Sequence, residues 1–157
     1  MFNNLFDLTG KIALITGGTH GLGMAMATGL GKAGATLVIN GASSQEKSDQ
    51  AVSTYKSLGL EAHGYLFDVS IESQVIENIT KIEEEVGPID ILVNNAGIIK
   101  RTPLETMEVT DFERVIKVDL VSPFIVSKHV VKGMIRRKEG KIINICSMMS
   151  ELGRNTV

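Results

Sequence analysis

The sequence predicts a doubly wound α/β domain, a parallel sheet with helices packed on both faces. Two observations carry that expectation. Short apolar runs alternate strictly with longer amphipathic ones, and two glycine-bearing turns each follow an apolar run directly. At 157 residues the chain suits one domain with a sizeable core.

The first candidate strand is residues 11–16, and Thr16-Gly17-Gly18-Thr19-His20-Gly21-Leu22-Gly23 leads on from it. Leu22, Met26 and Leu30 then recur at helical spacing, so a helix is expected over residues 22–33. Further strands are expected at 36–40, 62–68, 89–94 and 141–147, with helices at 45–58, 71–86 and 111–137 between them. Gly34, Gly59 and Gly87-Pro88 follow three of these helices as stop signals. Thr110 and Glu113 fit a capping box opening the last helix. Pro123 lies well inside that helix, where it cannot donate to the Asp119 carbonyl and is expected to produce a kink. The released carbonyl is either a tolerated consequence or is aimed at a group such as a bound water. Residues 97–109, with Lys100, Arg101 and Pro103, form the longest loop, and it follows a strand. That carboxyl edge is where open parallel sheets bind ligands. No internal repeat or linker interrupts the pattern, so residues 1–157 read as one domain.

Composition narrows the function classes. Hydrophobic content of 43% and charged content of 22% are those of a soluble globular protein. A net charge of −2 gives no reason to expect nucleic acid or an anionic membrane as partner. The apolar runs are far shorter than a membrane span, and residues 1–10 do not resemble a signal peptide. The single cysteine, Cys146, makes no internal disulfide or cysteine-rich metal site and suits the cytoplasm. No metal centre is expected. Alternation along the last strand points Cys146 away from Ser147, as a buried structural thiol.

Glycines at a strand-to-helix turn let the backbone approach a phosphate, and the amides opening the helix attract the anion. A second turn, Asn94-Asn95-Ala96-Gly97, sits at the end of another strand. Together they read as the site of a nucleotide-binding oxidoreductase. His20 is either simply solvated or a cation for an additional phosphate. Gly29, Gly31 and Gly34 read as packing or cap glycines, and Glu83-Glu84-Glu85 as a solvated helix face.

The run from Thr16 to Gly23 resembles the T-G-x-x-x-G-x-G of the short-chain dehydrogenase/reductase family. Asn94–Gly97 is similar to that family's N-N-A-G, Asp68 to its acidic residue near adenine, and Ser147 to its catalytic serine. The resemblance runs the length of the chain in order and spacing. Within the family, residues 94–101 and 142–154 are most similar to the gluconate 5-dehydrogenases.

The resemblance implies a Rossmann-type sheet of five strands in the order 3-2-1-4-5, truncated at its C-terminal side. It implies that Thr16, Gly17, Thr19, His20, Gly21, Leu22, Gly23, Asp68, Val69, Asn95, Ala96 and Gly97 hold NAD or NADP. Residues 40–44 carry neither an acid for a ribose 2′-hydroxyl nor an arginine for a 2′-phosphate. His20, Ser43 and Ser44 incline the expectation towards NADP.

The implied reaction is reversible reduction of a keto-sugar acid, 5-dehydrogluconate to gluconate. A ketoacyl thioester, a polyol, or a non-catalytic nucleotide-binding fragment remain alternatives. Ser147 would hold the substrate oxygen. Asp119 stands where the family usually has an asparagine whose main-chain carbonyl binds a water. Arg101, and more weakly Arg154, would pair with the substrate carboxylate. The family's tyrosine, with a lysine four positions on, is absent: Tyr55 and Tyr65 are followed there by Gly59 and Val69. That tyrosine is expected just past Val157, so the chain reads as the N-terminal part of a longer enzyme, inactive alone. The longer enzyme would be a homotetramer or homodimer. Strand 141–147 would leave an open edge, and Val115, Val118, Ile125 and Val126 an uncovered apolar face.

Overall fold

The computed structural model describes residues 5–148. Five strands form one sheet: β1 (Ile12–Thr16), β2 (Thr36–Gly41), β3 (Ala62–Leu66), β4 (Ile91–Asn94) and β5 (Lys141–Asn144). Their spatial order is β3-β2-β1-β4-β5 and every pairing is parallel, as expected. Between them run α1 (Gly21–Lys32), α2 (Gln45–Ser57), α3 (Glu72–Glu85), α4 (Val109–Ile116) and α5 (Ser122–Arg137). No described helix is long and apolar enough to cross a membrane.

Side-chain alternation divides the core into two layers. Ile12 and Leu14 of β1, Val38 and Leu92 face α3 and α5, where they meet Val75, Ile79, Ile82, Val126 and Val130. Ala13, Ile15, Leu37, Ile39, Ile91 and Val93 face the other way, onto Ala27 of α1 and Ala51 and Tyr55 of α2. β1 and β4 are covered on both faces, which is why they read as unbroken apolar runs.

The last helical region departs from expectation. The helix begins at Val109 with Glu108 as its N-cap and no side-chain cap, so Thr110 and Glu113 do not form a capping box. The helical run is also interrupted: a π-helical turn, Lys117–Val121, lies between α4 and α5, and Pro123 is the second residue of α5. Val126 faces the core, and Val115, Val118 and Ile125 are half-buried. The exposed apolar stripe is instead Phe112, Ile116, Leu120 and Phe124.

β3 and β5 stop earlier than expected, at Leu66 and Asn144, so Asp68 and Ser147 stand on the segments that follow. All of β5 is exposed, Ile142 and Ile143 included, and it is an edge strand of the described sheet.

Candidate active site

Two strands that neighbour each other in space but not in sequence build the centre of the site. Thr16 ends β1 and is buried. Its hydroxyl accepts the amide hydrogens of Asn95 (3.0 Å) and Ala96 (3.0 Å) and donates to the Val93 carbonyl (3.4 Å). The Asn95 side-chain amide returns the contact, donating to the carbonyls of Thr16 (3.0 Å) and Gly17 (3.2 Å). The two turns singled out in the sequence are therefore held together by five hydrogen bonds around one threonine and one asparagine, the Val93 bond included.

The glycines are required by geometry. Gly17 has φ +65°, and a Cβ on Gly23 would overlap the Gly17 carbonyl oxygen. The backbone of α1 thus packs directly on the preceding turn, and its opening amides face the carboxyl edge of the sheet. Such a turn has the donors and the clearance for a pyrophosphate, so the cradle fits the expected dinucleotide.

Two residues that the sequence reading did not select secure this turn. Asn40, buried at the end of β2, accepts the Gly17 amide at Oδ1 (3.4 Å) and the Gly18 amide at its carbonyl (3.2 Å). Its side-chain amide spans to the carbonyls of Gly41 (3.0 Å) and Phe67 (2.9 Å). Tyr55, wholly buried on α2, donates its hydroxyl to the Gly18 carbonyl at 2.6 Å. The signal for Asn40 was a polar residue closing an apolar run.

A cavity of about 520 Å³ opens on one side of the turn, lined by Thr19, His20 and Gly21 together with Ser43, Ser44 and Lys47. Thr19 Oγ1 and His20 Nδ1 lie 3.1 Å apart, and Ser44 caps α2 by accepting the Lys47 amide (3.2 Å). Leu22 is exposed beside the turn. Asp68, half-buried, accepts the Ser70 amide (2.8 Å), and Gln74 accepts the Asp68 amide (2.8 Å). Val69 packs in the core.

A second cavity, about 470 Å³, lies beyond Asn95-Ala96-Gly97 and is lined also by Asp119, Phe124, Ser127, Asn144 and Cys146. The Asp119 side chain accepts the Ile98 amide (2.8 Å), fixing the loop that leaves Gly97. Under the cavity, Asn94 Nδ2 donates to Ser127 Oγ (2.9 Å) and Asn144 Oδ1 (2.9 Å), tying β4 to α5 and β5. Cys146 is exposed and lines this cavity, against the expectation of a buried thiol. Alternation fails there because β5 has already ended. Ser147 follows it and is exposed.

Arg101 lines neither cavity. Lys100 is engaged with Asp111 at 2.8 Å, and Arg101 enters no ion pair among the described residues. Arg154 lies outside the described residues. Neither tyrosine lines either cavity: Tyr55 is committed to Gly18, and Tyr65 donates to Glu85 (2.8 Å). Burial, and next the Glu85 carboxylate, raise the Tyr65 phenol well above the ordinary range.

Residues 11–157 match the short chain dehydrogenase family profile. The chain is 68% identical over 154 residues to a 2-dehydro-3-deoxy-D-gluconate 5-dehydrogenase of Formosa agariphila, covering 98% of this chain and 58% of that protein. It is 44% identical to a 5-keto-D-gluconate 5-reductase of Escherichia coli, covering 99% of this chain and 61% of the other. A crystal structure of a gluconate 5-dehydrogenase from Burkholderia cenocepacia, in complex with NADP and tartrate, superimposes with TM-score 0.90 at 45% identity. That alignment covers 97% of this chain and 59% of the other. The chain thus spans about three-fifths of the length of these relatives.

Proposed function

Because this chain belongs to the short chain dehydrogenase family, we propose that it carries the nucleotide cradle and part of the substrate site of an NADP(H)-dependent keto-sugar-acid reductase. The observation that carries the reading is the Thr16–Asn95 junction, which sets the glycine turn beside a second cavity at the same sheet edge. The relatives act on six-carbon sugar acids by name, and that substrate class is transferred here.

When bound, the dinucleotide supplies or accepts a hydride at the substrate's carbonyl carbon. This chain's own groups bind and orient. Amides of the turn over Gly17 to Gly23 hold phosphate, Asp68 and Val69 border adenine, and Asn95 to Gly97 line the nicotinamide side. Asp119 keeps that loop in place through the Ile98 amide. Ser147 donates to the substrate oxygen, and Arg101 is the proposed carboxylate partner, its neighbour Lys100 being engaged with Asp111. The balancing proton is assigned to the tyrosine that the family resemblance places after position 157.

The test uses the protein at its gene-encoded length. NADPH should bind the parent and fail to bind Gly21→Trp, and the parent should oxidise NADPH with 5-ketogluconate or reduce NADP+ with 2-dehydro-3-deoxygluconate. Arg101→Ala should raise KM for the sugar acid far more than for an uncharged polyol. Equal NADPH binding by parent and Gly21→Trp sinks the cradle assignment, and unaltered KM removes Arg101 from it.

A further inference from the structure

Resting on the dinucleotide reading above, we propose that the Tyr55 hydroxyl is a positioning group for the phosphates, acting through the Gly18–Thr19 peptide. Gly18 is pinned at both ends. Its amide donates to the Asn40 carbonyl (3.2 Å), and its own carbonyl accepts the Tyr55 hydroxyl (2.6 Å). No cis peptide bond occurs among the described residues, and in a planar trans unit the C=O and the next N–H point in opposite directions. A Gly18 carbonyl drawn inward to Tyr55 therefore turns the Thr19 N–H away from that hydroxyl, and Thr19 and His20 line the first cavity.

The surroundings make this hydroxyl the determinant of that orientation. Tyr55 sits wholly buried in an apolar cluster with Ile15, Leu37, Ile39, Ala51 and Ala62. A Cβ on Gly18 would lie 3.0 Å from Ile39 Cγ2, so the peptide is flush against apolar side chains. Without the phenol, the carbonyl would face hydrocarbon unsatisfied, and rotation of the peptide would relieve it. Burial pushes the Tyr55 phenol up to about 12, so it remains a donor throughout the neutral range. The same helix also lines the first cavity, with Lys47, Gln50, Ala51 and Thr54.

Tyr55→Phe removes the hydroxyl and keeps the ring. In the protein at its gene-encoded length, Kd for NADPH and for NADH should rise by the same factor, about three- to tenfold, since both carry the pyrophosphate. At saturating NADPH, kcat should stay within twofold. Tyr65→Phe, which loses a hydroxyl bonded to Glu85 in the other apolar layer, should leave both Kd values unchanged. A lower melting temperature with unaltered Kd in Tyr55→Phe overturns the proposal, as does an equal rise of Kd in Tyr65→Phe. Amide exchange on the parent supplies a reading that needs no variant: the Thr19 amide should gain protection when NADPH is added, and no gain overturns the proposal. A parent that binds neither nucleotide removes the dinucleotide reading and this role with it. A parent that binds normally beside an unaffected Tyr55→Phe removes only this role.

Discussion

Lys47 reaches the first cavity from the opening turn of α2, beside His20, Ser43 and Ser44, and among the described residues no carboxylate lines that space. A ribose 2′-phosphate would meet a cation and hydroxyls there, whereas a 2′-hydroxyl would leave the ammonium without a partner. Lys47→Ala should therefore raise KM for NADPH about tenfold and leave KM for NADH within twofold. Steady-state kinetics with both cofactors decide it, and equal losses would take Lys47 out of cofactor choice. His20, Ser43 and Ser44 were legible in the sequence because they fall at the ends of β1 and β2, where ligands bind. Lys47 was not, because a lysine in a helix reports nothing of the face it occupies until the helix is docked. Asn40 and Tyr55 stayed hidden for a related reason: their partners are backbone atoms of Gly17 and Gly18, which no side-chain pattern encodes. Asp119 was legible by position only, since the contact of its carboxylate with the Ile98 amide depends on how the loop after Gly97 is laid.

Helices α3 and α5 are joined at one point by charge. Glu72 Oε1 accepts from Lys128 Nζ and His129 Nε2, both at 2.9 Å. Hydrogen bonding from Lys128, then from His129, lowers the Glu72 carboxyl from 4.5 to about 2. A carboxylate depressed in the folded state stabilises it above the unfolded value and loses that contribution as pH falls through the folded one. Between pH 4.5 and 2 the parent's melting temperature should therefore fall more steeply than that of Glu72→Gln, followed by circular dichroism. Parallel curves would show that the cluster adds nothing. At this scale the sequence pattern placed all five strands and the helices α1, α2 and α3, since apolar period and glycine stops are local signals. It misjudged the region around Pro123, because a π turn depends on how a helix packs along its whole length. The Thr110-x-x-Glu113 pattern misled because helix entry there is fixed by Glu108, two residues earlier.

At the scale of the molecule, one run of exposed apolar residues follows a single helical flank. Phe112, Ile116, Leu120 and Phe124 stand 54%, 37%, 66% and 66% exposed along α4, the π turn and α5. A stripe of that kind suits association, and the expected partner is a second copy of the protein. Phe112→Asp with Phe124→Asp should shift the protein at its gene-encoded length to a smaller species in size-exclusion chromatography with light scattering. An unchanged mass would assign the stripe elsewhere. The sheet order also sets a schedule. The Thr16 hydroxyl waits for the amide of Asn95, 79 residues further along the chain. At ribosomal speeds of about 5–20 residues per second, that interval is roughly 4–16 s. During it the glycine turn has already been made but has no wall, and β1 offers one bare side to any strand in reach. A nascent chain of this design carries the glycine turn without its Asn95 partner until the second motif emerges, so the length of that exposure is set by the sequence distance between the two motifs.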